Sequence, residues 1–376
     1  MDVPASRDAL DAICSKAADL LMTHRWKMWF WGDSIGLEGL LDASRITGNS
    51  KYLGFVYGFL KGWMARMEHR SRFDHTAAGA ALLSCYELIH DEALLEGASV
   101  LSDYLSGFRR TSDGCYLHYE HAHFELPPEL PPSHPAYDKE QERQRFELAV
   151  KVGGPCVFVD SVHFHGPFFA KMYALTRLER YRQLALDHIA GQVRLVWDEL
   201  HHLFHHFWIE ETRQRNSIFW GRGNGWGMLG ILYTVEHLRE SDPEAQHLLQ
   251  IFRFQAERLK QLQDQSGDWR TVLDDRNSYL ESSIAAFVVT GFSLALERGW
   301  IGEEYESTLE QAWRAMWSHI DESGLFKDVS FETFPSLNRE HYRKMPQGAM
   351  VPWGQGPCLM AVHGYLKYKG QLISSD

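Results

Sequence analysis

Apolar residues recur along this chain at steps of three and four. The spacing runs through 9–21, 35–43, 53–67, 77–88 and 94–108, then through 162–175, 181–196, 226–238, 248–262, 284–296, 305–317 and 358–368. One face of an α-helix repeats every 3.6 residues, so the pattern predicts about twelve helices. Apolar–polar alternation of the kind that marks a half-buried strand is hard to find. The expected class is all-α.

These helices come in pairs joined by tight turns. Around Gly48 a glycine stop is followed by Asn49 and Ser50, either of which can cap the next helix. Similar joints lie at 90–92, 176–179, 240–243 and 298–302, where Pro243 suits the first turn of a new helix. The strings LLDASRITGNSKYLGFV, KMYALTRLERYRQLAL and SLALERGWIGEEYESTL share one plan: apolar helix, joint, aromatic, apolar helix. Five pairs are visible, and the leftover first and last helices make a sixth if they meet. Helical pairs repeated every 40–60 residues or so indicate a repeat architecture, and pairing of its two ends favours a closed ring. No boundary divides the chain, so residues 1–376 are expected to form one domain. Two connections are long, 111–154 and 321–351. The first holds a Pro-rich run over 126–135 and a short charged helix expected over 138–150. Long loops of this kind are usually functional or disordered.

Composition narrows the function. With 38 Lys+Arg against 50 Asp+Glu, the net charge is −12, which disfavours tracking along nucleic acid. No apolar run approaches the ~18–20 residues of a membrane span, and the first residues carry no basic-then-apolar signal. Five cysteines, odd in number and without metal-knuckle spacing, suit a reducing compartment. A cytoplasmic protein binding neither nucleic acid nor membrane is expected, as a monomer or homodimer. Aromatic content is high, with 13 Trp, 15 Tyr and 21 Phe. Such residues serve both sugar stacking and large cores.

Candidate chemistry gathers at one kind of position. The putative inner helices start at Trp31-Gly32-Asp33, Phe73-Asp74-His75, Val159-Asp160-Ser161, Trp220 to Trp226, Glu281-Ser282-Ser283 and Trp353 to Gly356. In a closed ring these starts converge on one mouth, together with unpaired N–H groups and positive dipole ends suited to a carboxylate. Asp and Ser are ordinary N-caps, which is the bland reading of each acid. Asp74 and Asp160, however, sit among His, Arg and Trp at equivalent places, and paired carboxylates are the usual equipment of glycosidic chemistry. In WGRGNGW, the glycines permit close backbone approach, Arg222 offers a fork for a carboxylate, and Trp226 lies one turn further on the same face.

Histidine is abundant, at 20. His201, His202, His205 and His206 make two i,i+4 pairs, the spacing of metal ligands on a helix. No third ligand follows at a fixed distance and no H-E-x-x-H occurs, so no metal is expected. His118, His121 and His123 beside Cys115 are equally ambiguous.

The sequence resembles the unsaturated glucuronyl and unsaturated rhamnogalacturonyl hydrolases, families 88 and 105 of the glycoside hydrolases. The resemblance rests on GLEGLLDASRITGNSKYL, FDHTAAGAALLSCYEL, VDSVHFHGPFFAKMYALT, LFHHFW, FWGRGNGWGMLGI, YLESSIAAFVVTGFSLALERG and GQGPCLMA, spread over most of the chain. It implies an (α/α)6 barrel of six hairpins. Asp160 falls on the family's general acid/base and Asp74 on its second essential aspartate. His206, Arg222 and Trp226 fall on substrate-binding positions, with Asn224 inside the same RGNGW string, and His118 and Trp31 match pocket positions. RGNGW is closer to the rhamnogalacturonyl branch. Where the family usually has Leu-Phe-Met, this chain has Val162-His163-Phe164.

The implied substrates are oligosaccharides left by polysaccharide lyases, with a C4=C5 double bond in a non-reducing-end uronate. The implied chemistry is protonation at C4 and hydration at C5, with no metal or organic cofactor. Two other readings stand beside it: a sugar epimerase of the N-acylglucosamine epimerase type, and a non-catalytic carbohydrate-binding protein on the same scaffold.

Overall fold

The computed structural model describes residues 2–70, 73–118, 155–239, 241–348 and 350–372. The Pro-rich run at 126–135, His121, His123 and the helix expected over 138–150 lie outside them. All twelve other expected helices are present: α1 (Arg7–Met22), α2 (Trp31–Thr47), α3 (Ser50–Met64), α4 (Gly79–Ile89), α5 (Glu92–Ser106), α6 (Asp160–Thr176), α7 (Glu179–Val196), α8 (Gly221–Glu236), α9 (Pro243–Leu262), α10 (Ser282–Glu297), α11 (Glu306–Ser318) and α13 (Pro352–Tyr368). A one-turn helix, α12 (Arg339–Arg343), interrupts the second long connection.

Two burial patterns separate the helices. In α10 every residue from Ser282 to Ala295 is buried, as suits a helix surrounded by protein. In α9 the buried residues are Ala245, Leu248, Leu249, Ile251, Phe252, Gln255, Ala256 and Leu259, a single stripe. Inner helices α2, α4, α6, α8, α10 and α13 pack in that order, and α13 returns to α2. The striped helices lie outside, and α1 closes the sixth pair by packing on both α2 and α13. This is the (α/α)6 barrel. Its closure depends on small residues: a Cβ on Gly39 of α2 would stand 2.5 Å from the Gly356 Cα of α13.

The joints follow local chemistry. Gly48 ends α2 at φ 66°, and the Asn49 side chain accepts from the Lys51 N–H at 3.1 Å to start α3. Pro243 occupies the first turn of α9. Among the described residues no helix is long and apolar enough to cross a membrane.

Short strands dress one end of the ring. β1 (Cys156–Phe158), β4 (Phe207–Ile209) and β5 (Gln214–Arg215) form an antiparallel sheet in the order β1-β4-β5, with Phe158 opposite Phe207. β2 (Trp197–Asp198) pairs with β3 (Leu203–Phe204), and β6 (Trp269–Arg270) with β7 (Leu280–Glu281).

Candidate active site

The pairing of β1 with β4 sets the central residues. Its register continues one step past Phe158, where the Val159 N–H donates to the His206 carbonyl at 2.9 Å. Val159 is the N-cap of α6, so Asp160 is its first helical residue and not a cap. The Asp160 side chain is 15% exposed, and Nε2 of His206 lies 3.8 Å from its Oδ2. That oxygen is buried without a hydrogen-bond partner. Burial pushes the carboxyl up to about 7, against the opposing pull of its own backbone N–H and of Arg222. A carboxylic acid that can give a proton near neutral pH and take it back is what general acid–base catalysis needs.

Burial also holds His206 well below the usual imidazole value. Its Nδ1 lies 2.6 Å from the Tyr342 hydroxyl, and its ring rests 4.5 Å from Trp220. His118 bridges to Cys156 at the edge of β1, and its ring meets Phe158 edge-on at 4.9 Å. Asp74 lies in a 3-10 segment, Phe73–Ala78, that packs on α2 and α6. The Thr76 hydroxyl, 2.7 Å from His165 Nε2, ties that segment to α6. Trp31, half-buried at the start of α2, contacts Trp353 at 5.1 Å, Phe164 at 6.1 Å and Trp226 at 6.4 Å. The starts of α2, α6, α8 and α13 therefore meet, as the ring predicted. The N-caps of these four helices are Phe30, Val159, Trp220 and Val351, and none makes a side-chain cap bond.

Three of the expected substrate-binding residues, Arg222, Asn224 and Trp226, make extensive contacts within the protein. Arg222 is 0% exposed and its fork is occupied. Nη1 donates to Glu281 at 3.0 Å and to the Ser330 hydroxyl at 2.7 Å, while Nη2 donates to the Phe331 carbonyl at 2.9 Å and to Thr333 at 3.1 Å. Ser330 in turn accepts from the Trp353 indole at 3.1 Å, so Arg222 ties the starts of α8, α10 and α13 together. Asn224 mimics a strand partner, accepting from the Phe204 N–H at 2.8 Å and donating to its carbonyl at 2.9 Å. Trp226 is fully buried, its ring against Phe164 and Phe287. The glycines of the same string face protein: a Cβ on Gly223 would lie 2.7 Å from Trp220 and 2.9 Å from Val159.

The histidine run also differs from a helical ligand set. His201 lies in the turn of the β2–β3 hairpin and His205 just past β3, and both contact Asp198, at 2.9 and 3.1 Å. Among the described residues no group of three or more His, Cys, Asp or Glu side chains is placed to hold a metal ion.

The sequence profile of Glycosyl Hydrolase Family 88 matches residues 8–369. The chain belongs to glycosyl hydrolase family 88. Within that membership it is 25% identical over 350 residues to the unsaturated rhamnogalacturonyl hydrolase YesR of Bacillus subtilis (strain 168), covering 92% of this chain and 91% of that one. It is 28% identical over 110 residues, 28% of this chain and 27% of the other, to an unsaturated 3S-rhamnoglycuronyl hydrolase of Alteromonas sp. (strain LOR). Among solved structures, a possible GH105 member from Salmonella enterica serovar Paratyphi A superposes with TM-score 0.78 at 23% identity, over 97% of this chain and 96% of that one. The unsaturated glucuronyl hydrolase of Bacillus sp. GL1 superposes with TM-score 0.71 at 15% identity, over 97% of each. The protein is thus a family 88 glycoside hydrolase, and its relatives do not favour the epimerase or the non-catalytic binder.

Two elements of this family 88 site escaped the sequence. Tyr342 and Ser330 come from the second long connection, where no periodicity marks them. Glu281 was visible at a helix start, but its pairing with Arg222 joins residues on two different helices.

Proposed function

We propose that this glycoside hydrolase acts on unsaturated uronyl oligosaccharides left by polysaccharide lyases, using Asp160 as both acid and base. The Asp160 carboxyl gives its proton to C4 of the C4=C5 enol ether, and positive charge develops at C5. The carboxylate so formed takes a proton from water as the water oxygen bonds to C5. The resulting hemiketal opens, the bond to the leaving sugar breaks, and Asp160 is protonated again. Asp74 on the adjoining segment is the second carboxylate, and His206 and His118 border the reacting ring, with Trp31 offering a half-buried aromatic face. Uncapped first turns of four inner helices favour the uronate carboxylate. One continuous core running from Leu10 to Leu366 supports treating the whole chain as a single catalytic unit.

The observation that carries this reading is the Asp160 carboxyl, held up near neutrality with an unpartnered oxygen beside His206. Hydration destroys the conjugated double bond, so lyase-generated unsaturated disaccharides lose their ultraviolet absorbance. Pectic, glycosaminoglycan and ulvan-type products are the panel to use. Absorbance that persists with all three rejects the hydratase reading.

A further inference from the structure

The site above uses one end of the ring. At the other end a cavity of about 420 Å³ opens among the last turns of the inner helices. All six contribute, through Asp42, Glu87, Lys171, Tyr233, Glu297 and His363 in chain order. Lys171 lies three turns along α6 from Asp160, about 16 Å at 1.5 Å per residue. Trp226 and His163, with rings 4.9 Å apart, stand between the two ends.

Most charges around this cavity are matched. Arg45 reaches Asp42 at 2.6 Å, and His363 lies 3.3 Å from the same carboxylate. Lys171 holds Glu87 at 2.7 Å, Lys367 holds Glu297 at 3.1 Å, and Arg298 holds Glu236 at 2.6 Å. Glu38 is the exception. Among the described residues its carboxyl makes no hydrogen bond or ion pair, and burial pushes it up to about 8, with Lys171 opposing and Asp42 adding.

Two more polar groups in the same wall lack partners. The Tyr233 hydroxyl makes no hydrogen bond among the described residues. His163 is 2% exposed, neither ring nitrogen has a partner, and its ring lies 5.9 Å from that of Tyr233. Burial keeps this imidazole neutral, so one nitrogen is an acceptor. Pro167, also in the wall, has no N–H to occupy the His163 carbonyl.

A carboxyl that ionises once a cation settles beside it, a phenol oxygen, an imidazole nitrogen and a carbonyl make an acceptor-rich set. They form the inner wall of the cavity, behind its charged rim: Glu38 lies midway along α2, Tyr233 near the end of α8 and His163 in the first turn of α6. An ammonium group offers the complement, three donors and one positive charge. We propose that this cavity is a second binding site, taking the primary ammonium of a small organic amine, with Glu38 as counter-ion and Tyr233 and His163 as acceptors.

Calorimetry with glucosamine and glucose tests it, because the two probes differ in one ammonium for one hydroxyl. Glucosamine is expected to bind wild type, with glucose about tenfold weaker or more, and Glu38→Gln to lose about tenfold or more for glucosamine. Asp160→Asn keeps that binding, and Glu38→Gln keeps the wild-type rate on unsaturated disaccharide. If Glu38→Gln does not fold, Tyr233→Phe serves in its place, with a loss of about two- to tenfold. Absence of glucosamine binding overturns the proposal. Equal affinity for both sugars overturns it in favour of a hydroxyl site, and binding lost in Asp160→Asn but kept in Glu38→Gln places the amine in the catalytic mouth instead.

Discussion

Nε2 of His206 stands 3.8 Å from Oδ2 of Asp160, close enough to feel its charge and too far to bond it. The Tyr342 hydroxyl has one hydrogen, and its shortest contact is 2.6 Å, to His206 Nδ1. With that hydrogen given to Nδ1, and not to the Ser336 carbonyl at 3.4 Å, the ring hydrogen sits on Nε2, facing Asp160. Asn216 supports this by donating to the Tyr342 oxygen at 3.2 Å.

Tyr342 is thus a positioning residue. Tyr342→Phe frees the imidazole to turn and change tautomer, and the expected result is a kcat reduced about tenfold with KM little changed. The stability loss should stay near 0.5–1.5 kcal/mol, that of one hydrogen bond. Steady-state kinetics beside a denaturant titration separate the two. A fall in stability with unchanged kcat would reduce Tyr342 to packing.

Protonation of C4 needs Asp160 in its acid form. With the carboxyl raised to about 7, kcat/KM on an unsaturated disaccharide should fall on the alkaline side with an apparent pKa near that value. Asp160→Asn should abolish turnover while binding persists, and Asp74→Asn should lower kcat more than affinity. An alkaline limb that survives unchanged in an active Asp160→Asn protein would falsify the assignment.

The same raised carboxyl has a stability signature. Between its unfolded value of 3.8 and about 7 the folded protein keeps a proton that the unfolded chain releases. Stability therefore declines as pH rises through that window, and the loss is complete above it. Asp160→Asn removes the effect, so it should add nothing near pH 4 and roughly 1–4 kcal/mol above pH 7. Denaturation of both proteins at the two pH values gives the comparison; a constant difference between them would contradict it.

Arg222 and Glu281 are a buried pair, 0% and 1% exposed. Arg222→Ala strands the Glu281 carboxylate, and the expected cost is about 3–5 kcal/mol. Adding Glu281→Gln should restore part of it, as read by chemical denaturation. If Arg222→Ala instead keeps its stability and loses only affinity for the charged sugar, the guanidinium is a substrate clamp after all.

Periodicity was enough to locate the twelve helices and their closed order, because each helix buries a regular face and each joint carries its own stop and cap. Asp160 could be singled out for its place at a helix start. The roles within RGNGW could not be read locally. Arg222, Asn224 and Trp226 look like ligand contacts in the string, but their partners Glu281, Ser330, Phe204 and Phe287 come from other segments. A guanidinium fork fits a protein carboxylate as well as a sugar carboxylate, and a glycine admits a neighbouring helix as readily as a ligand. Tyr342 lies in a charged stretch with no pattern to mark it.

The contact between Gly39 and Gly356 also has a temporal meaning. As the chain leaves the ribosome, α2 is made well before α13, the helix that completes its wall. Until α13 arrives, α2 and α10 present apolar flanks to water. Trp31 also lacks the Trp353 ring that it meets at 5.1 Å. An activity that requires the finished mouth is therefore withheld until α13 has joined α2 and α10 and closed the ring.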